Sequence, residues 1–66
     1  MFDIIVQSEG NLIGLTALVS SPIACHLLAT MQWGTVVNGT RYISEAECDA
    51  AFDLIDHHHL TTRTLG

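Results

Sequence analysis

The chain has 66 residues, and 48% of them are hydrophobic. It contains seven acidic residues but only two arginines and no lysine, which gives a formal net charge of −5. This length predicts a single domain, residues 1–66. A protein that grips phosphates needs clustered lysine and arginine, so the composition excludes direct binding to DNA or RNA as the expected function. The charge suits a basic protein partner instead. Because so short a chain buries only about 60% of its surface, its apolar content also predicts an interface, such as that of a homodimer.

The sequence has two cysteines, Cys25 and Cys48. They are too few for a disulfide-stabilised secreted scaffold. The first six residues have neither the basic segment nor the small-residue cleavage site that is typical of a signal peptide. We therefore expect reduced thiols and a cytoplasmic protein, located in the cytoplasm of a host cell if a phage encodes it. A single disulfide between the two cysteines remains the alternative.

The first predicted element is a hairpin over residues 2–19. Apolar residues alternate along 2–8, a Glu-Gly-Asn turn signal follows at 9–11, and a second alternating run covers 12–19. The competing prediction is a short helix over 12–19, capped by the asparagine. It would give the order helix, helix, hairpin, helix, similar to a reduced winged helix without a basic recognition face. A glycine and a threonine within the run disfavour that helix.

A helix is predicted over about residues 22–33. Ser21 is a suitable N-cap, Pro22 fits the first helical position and Gly34 is a suitable terminating residue. Apolar side chains cover nearly all faces of this helix, so we expect it to be buried on two sides, the second against another molecule. Packing in the core is the favoured interpretation of Trp33, and its alternative is that of an interface anchor.

The same region also raises a membrane hypothesis. No acidic or basic residue occurs between Gly10 and Arg41 apart from one histidine, and residues 12–33 are long enough to cross a bilayer. Two serines and a proline at 20–22 interrupt the run, and no basic flank fixes an orientation. Two shorter buried elements therefore explain the pattern better, and a small single-span membrane protein ranks as the third functional hypothesis.

The second half of the chain predicts a hairpin followed by a helix. An Asn-Gly pair supplies the positive φ angles of a tight type I′ turn within a hairpin over 35–43. A serine followed three residues later by glutamate forms a capping box that opens a helix over 45–59. Residues 60–66 lack periodicity and are expected to fray. The resulting order β-β-α-β-β-α predicts an α+β fold, in which two helices cover one side of a small antiparallel sheet.

The predicted last helix separates its side chains into two arcs, at 100° per residue. One arc is expected to face the core: Cys48, Ala51, Phe52, Ile55 and His59. The opposite arc carries four acids, which we call the acidic stripe: Glu45, Asp49, Asp53 and Asp56. Successive carboxylates lie about 6 Å apart along the axis and repel one another by a few tenths of a kcal/mol per pair. No lysine or arginine in the helix relieves this repulsion, which a merely solubilising surface would not require.

A row of negative charges resembles a nucleic-acid backbone in electrostatic terms, and a surface that normally grips phosphates would attract it. The sequence therefore predicts a non-enzymatic inhibitor or decoy that binds the basic surface of a host nucleic-acid-binding complex. Small acidic anti-defence proteins of phages and mobile elements, including anti-CRISPR-like ones, work in this way; the comparison is one of size and charge and involves no motif. The alternative is a homo-oligomeric assembly protein that associates through the apolar helix 22–33.

Metal binding and catalysis are poorly supported by the sequence. The histidines at 57–59, Cys48 and the adjacent Cys25 and His26 lack the short paired spacings of zinc sites. Carboxylates on an exposed helix face, with no cleft and no adjacent nucleophile, do not predict acid–base or covalent catalysis. We therefore predict no metal, no cofactor and no enzymatic activity.

Overall fold

The computed structural model describes residues 1–65 as five strands and two helices. In chain order these are β1 (Ile4–Glu9), β2 (Leu12–Ala17), α1 (Pro22–Thr30), β3 (Thr35–Val37), β4 (Thr40–Ser44), α2 (Glu45–His57) and β5 (Thr62–Leu65). The predicted α+β fold and the order β-β-α-β-β-α are confirmed for the first six elements. The strand prediction for the second run is also confirmed over Leu12–Ala17, in place of the competing helix.

The first two strands form a tight antiparallel hairpin. Glu9 pairs with Leu12, which leaves a two-residue loop. Gly10 has φ of 60° at the first loop position, as in a type II′ turn, which glycine adopts without a steric cost. The register places Val6 opposite Leu15, and both side chains are buried. Alternation along the two strands therefore gives the sheet one core face.

The second hairpin follows the Asn-Gly prediction. Val37 pairs with Thr40 across the two-residue loop, in which Asn38 and Gly39 have φ angles of 51° and 81°. Positive φ at both loop positions is the requirement of a type I′ turn. Strand β4 continues beyond this hairpin and pairs antiparallel with β2, so the two hairpins join into one sheet.

The chain after α2 adds a strand that the sequence did not predict. Strand β5 pairs parallel with β1, so the sheet is mixed and has the order β3-β4-β2-β1-β5. The prediction of a purely antiparallel sheet was therefore wrong. The prediction of a frayed tail over 60–66 was wrong for residues 60–65, and Gly66 lies outside the described residues. Thr61 fixes this segment, because its N–H donates to Asp3 Oδ2 at 2.9 Å and its carbonyl accepts from the Asp3 N–H at 2.9 Å.

The two helices are crossover connections on the same side of the sheet. The strand pairings show that α1 connects the parallel strands β2 and β3, and that α2 connects the parallel strands β4 and β5. The two connections start from antiparallel strands and run toward opposite edges of the sheet. Because such crossovers are right-handed, both helices lie over the same face of the sheet. A single core lies between them and that face: Ile4, Val6, Leu15, Ala24, Leu27, Leu28, Met31, Ile43, Ala51, Ile55 and Leu60.

Helix α1 ends at Thr30, three residues earlier than the predicted end at about Trp33. Met31 has an extended backbone, with φ −61° and ψ 137°. The Arg41 side chain reaches from β4 to this end of the helix: its Nε donates to the Leu28 carbonyl at 2.6 Å and its Nη1 to the Trp33 carbonyl at 2.7 Å. Arg41 is only 8% exposed. A long-range contact therefore satisfies carbonyls that further helical turns would otherwise have used.

Helix α2 begins where the sequence predicts and ends two residues earlier than the predicted His59. Ser44 and Glu47 form the capping box, in which the Ser44 N–H donates to Glu47 Oε1 at 2.9 Å. At the other end the N–H of His59 donates to the Asp56 carbonyl and the N–H of Leu60 to the Ile55 carbonyl. This pair of bonds is a Schellman motif, with His59 at φ 57° in the left-handed position usually taken by glycine. His59 is therefore exposed beyond the helix and does not face the core.

None of the helices described within residues 1–65 has the length and apolar character needed to cross a membrane.

Candidate interaction surface

All four residues of the acidic stripe are exposed on the outer side of α2. A separate side of the helix packs on the sheet, with Ala51 and Ile55 buried and Cys48 and Phe52 partly buried against the core. Four of the five residues predicted to face the core therefore contribute to it, and the amphipathic division of the helix that defines the acidic stripe is real. The stripe covers eleven residue steps of a regular helix, about 16 Å along its axis.

The remaining acids have local structural roles or lie apart from the stripe. Glu47 belongs to the capping box, and Asp3 accepts a hydrogen bond from the Thr61 N–H. That N–H is the main reason that the pKa of Asp3 lies below its ordinary value of 3.8, and the hydroxyl of Ser21 lowers it further. Glu9 is exposed at the end of β1. The excess charge of the protein is therefore concentrated on one helix face.

Both arginines of the chain are engaged away from the stripe. Arg41 is buried beside the C-terminal end of α1, where it binds backbone carbonyls. Arg63 lies on β5 with its guanidinium carbon 5.5 Å from the centre of the Phe2 ring, a cation–π geometry. Since the chain has no lysine, no lysine or arginine side chain is available to neutralise the stripe.

A groove of about 790 Å³ lies beside the stripe, between α1 and α2. Most of its surface is apolar, and the residues that line it are Pro22, Ile23, His26, Leu27, Thr30, Met31, Gln32, Trp33, Ala50, Asp53, Leu54 and His58. Five of these residues lie along the whole length of α1 and three follow it at 31–33; on the other wall, three lie on α2 within residues 50–54 and His58 directly follows that helix. Asp53 belongs both to this groove and to the acidic stripe, so the two features form one continuous surface.

Trp33 lies at the groove and has an unused hydrogen-bond donor. Its side chain is partly buried against the core, and its Nε1 is buried without an acceptor among residues 1–65. A buried donor left without a partner costs about 1–3 kcal/mol. The Trp33 carbonyl is fixed by Arg41 Nη1 at 2.7 Å, which holds this residue at the edge of the groove. The interface and core predictions for Trp33 therefore do not exclude each other, because the side chain is partly buried against the core and the residue also lines the groove.

A second, smaller cleft of about 230 Å³ lies on the other side of α1. Its lining includes Cys25, Leu28, Val36 and the aliphatic and guanidinium parts of Arg41. Most of the Arg41 donors that define this region are already committed to the carbonyls of Leu28, Trp33 and Gly34. We therefore interpret Arg41 as a structural anchor of α1.

The cysteines and histidines do not converge on one centre. Within residues 1–65 no group of three or more His, Cys, Asp or Glu side chains has the geometry to hold a metal ion. Both cysteines are free thiols, and burial raises the pKa of the Cys48 thiol, with Asp49 and Glu45 raising it further. A raised pKa leaves less thiolate at neutral pH and makes Cys48 a poor nucleophile. His58 uses its Nδ1 in a hydrogen bond of 2.9 Å with the Leu54 carbonyl.

The acidic stripe was predicted from the sequence, whereas the groove and the role of Arg41 were not. The groove depends on how far apart α1 and α2 lie on the sheet, which no local pattern encodes. Arg41 did leave a signal, because it alternates with Ile43 along β4 and therefore shares the core face of the strand. A lone arginine at an inward position predicts a buried cation that needs oxygen partners.

No protein-family model matches the chain, and neither a curated protein nor a solved structure matches it.

Proposed function

We propose that the protein is a non-enzymatic inhibitor or nucleic-acid-mimicking decoy, which presents the acidic stripe to a basic, normally nucleic-acid-binding surface of a host complex. Such an inhibitor would be of the anti-defence type found in phages and mobile elements. The observation that carries it is the exposed row of Glu45, Asp49, Asp53 and Asp56, which has no lysine or arginine of the chain beside it.

The stripe destabilises the helix of this small domain as long as no partner is bound. Like charges one turn apart destabilise a helix, and only acids in the first turn are favoured by the helix dipole. Glu45 lies in the first turn of α2, whereas Asp53 and Asp56 lie near its C-terminal end, where the dipole opposes them. A basic partner reverses this balance, because each carboxylate then gains a cation and the repulsion becomes attraction.

The test compares capture of host proteins by the wild-type chain and by Asp49→Asn/Asp53→Asn/Asp56→Asn. We expect the wild type to retain a nucleic-acid-binding protein at low salt, to release it as salt rises, and to compete with nucleic acid for it. The triple variant should retain the fold by circular dichroism and lose the partner. Undiminished binding of every partner by the triple variant would show that the stripe is not the binding surface.

A matched control uses single charge neutralisations. Asp53→Asn and Glu9→Gln each remove one exposed negative charge, the first from the stripe and the second from the β1 end. Only Asp53→Asn should weaken binding appreciably. Equal effects would mean that overall charge, and not the stripe, attracts the partner.

Self-association through α1 is a second candidate, favoured by the side chain of Ile23, which is 59% exposed beside the groove. An apolar dimer interface would strengthen or persist as salt increases, whereas stripe-mediated binding would weaken. Sedimentation velocity of the isolated chain at low and high salt distinguishes the two. A salt-resistant dimer that Ile23→Gln disrupts would support the assembly function.

A further inference from the structure

The groove between α1 and α2 has no assigned occupant, and it joins the acidic stripe at Asp53. We propose that this groove binds an amphipathic helix of the basic partner, with the apolar side of that helix in the groove and its lysine or arginine side chains beside the stripe. The inference rests on the proposed function, because it takes the same partner and adds an apolar contact to the electrostatic one.

The walls of the groove determine the secondary structure of the occupant. Apart from the non-helical segment 31–33 and His58, the walls are helices, whose mid-helix backbone N–H and carbonyl groups are already used within the helix. An extended strand would find few backbone partners along these helices, whereas a helix satisfies its own backbone and offers only side chains. Helix α1 lines the groove from Pro22 to Thr30, a length of about 13 Å, which matches roughly nine residues of a partner helix.

The chemistry of the lining determines the character of the occupant. Ile23, Leu27, Met31 and Leu54 form an apolar floor and walls, which suit leucine-like side chains at i, i+3, i+4 and i+7. Asp53 is the acidic residue of the lining and is exposed at its edge. A lysine or arginine that flanks the apolar side of the partner helix would therefore lie against Asp53 and the neighbouring turns of the stripe.

Trp33 lines the groove and can report on its occupancy. Its side chain is only partly buried against the core, so an occupant that covers the rest of it changes its surroundings. Because Trp33 is the single tryptophan of the chain, its fluorescence reports occupancy of this groove directly.

The experiment titrates the intact protein with two synthetic peptides while Trp33 emission is recorded. The first is a helical peptide of leucine, alanine and lysine, about 14 residues long, with its leucines on one side. The second has the same composition but its leucines are distributed around the helix. We expect a saturable change in Trp33 emission with the first peptide and only weak, salt-sensitive binding of the second.

A pair of alanine substitutions tests the location. Ala50 lines the groove and Ala46 does not, and both are exposed on α2. Ala50→Gln fills the groove with a neutral side chain that helices tolerate, so it should weaken binding of the amphipathic peptide by about tenfold or more. Ala46→Gln should change it by no more than about twofold, since it alters the same helix surface outside the groove.

The outcomes separate this inference from the proposed function. If Ala50→Gln abolishes peptide binding while the triple stripe variant binds as well as the wild type, the apolar contact in the groove is supported, and both the placement of lysine beside the stripe and the electrostatic decoy are overturned. If the peptides bind through the stripe with no Trp33 response and no effect of Ala50→Gln, the groove inference is overturned and the decoy remains. If the chain instead forms a dimer that Ala50→Gln dissociates, the occupant is a second copy and the inference is also overturned.

Discussion

The two helices pack on the same sheet but are terminated by different kinds of interaction. Helix α2 carries its own signals, a capping box at Ser44 and a Schellman motif around His59, which both use residues within a few positions of the helix ends. Helix α1 has no side-chain hydrogen bond at its N-cap, and a guanidinium thirteen residues away in sequence binds the Leu28 carbonyl near its C-terminus. Local interactions therefore define both ends of α2, whereas a tertiary contact defines the C-terminal end of α1.

The largest expected effect follows from removing the long-range anchor of α1. Arg41→Met should lower the free energy of unfolding by about 2–4 kcal/mol, because it removes charge-assisted hydrogen bonds and leaves buried carbonyls without a donor. The free energy of unfolding of Arg41→Lys should lie between those of the wild type and Arg41→Met, since an ammonium group cannot reproduce the spread of the guanidinium donors. Urea denaturation followed by circular dichroism measures these differences.

Arg63→Met is the matched control for this prediction. It removes the other arginine, which is exposed and contacts the Phe2 ring, so it should cost less than about 1 kcal/mol. If both substitutions had equal effects, Arg41 would not be the anchor of α1, and the difference between the two helices would need another explanation.

A smaller effect is expected from removing a local cap of α2. Ser44→Ala should destabilise the protein by about 1 kcal/mol, because the capping box loses one of its two members. Ser21→Ala, at the corresponding position of α1, should cost less as a cap, since its side chain makes no capping hydrogen bond. The comparison of these two serines, again by urea denaturation, tests whether local capping is specific to α2. Because the Ser21 hydroxyl also hydrogen-bonds the Asp3 carboxylate, both serine substitutions are compared in an Asp3→Ala background, where a larger loss at Ser21 would reverse that conclusion.

The difference between the helices also explains how far the sequence could predict the molecule. The start of α2 and the Asn-Gly hairpin were predicted correctly because each depends on neighbouring residues, and so was the amphipathic division that exposes the stripe. The predicted end of α1 was wrong because the observed end depends on Arg41. Strand β5 was not predicted, because its short Thr-Arg-Thr-Leu run becomes a strand only through pairing with β1. The groove likewise depends on the separation of two helices and had no local signal.

A single substitution at the C-terminal end of α2 should increase the stability of the protein, which distinguishes this end from the end of α1. His59 occupies a left-handed conformation at φ 57°, and its side chain is exposed. His59→Gly should therefore raise the free energy of unfolding by about 0.5–1 kcal/mol, since glycine adopts this conformation without the steric cost. Thermal unfolding should show a higher midpoint, with His57→Gly, inside the helix, as a destabilising control. A loss of stability in His59→Gly would contradict the Schellman interpretation.

The smallest expected effect concerns the strand that follows α2 and depends on pH. The Thr61 N–H lowers the pKa of Asp3 in the folded protein, so the ionised carboxylate stabilises the fold above the unfolded pKa, and this contribution is lost as the pH falls through the folded pKa. The stability difference between wild type and Asp3→Asn should therefore be constant near neutral pH and shrink as the pH falls below about 4. Thr61→Val removes a hydroxyl bond of 3.2 Å but keeps the backbone N–H, so it should retain most of the wild-type pH dependence. If Thr61→Val instead abolished that dependence, the hydroxyl and not the backbone would hold β5 to the start of β1.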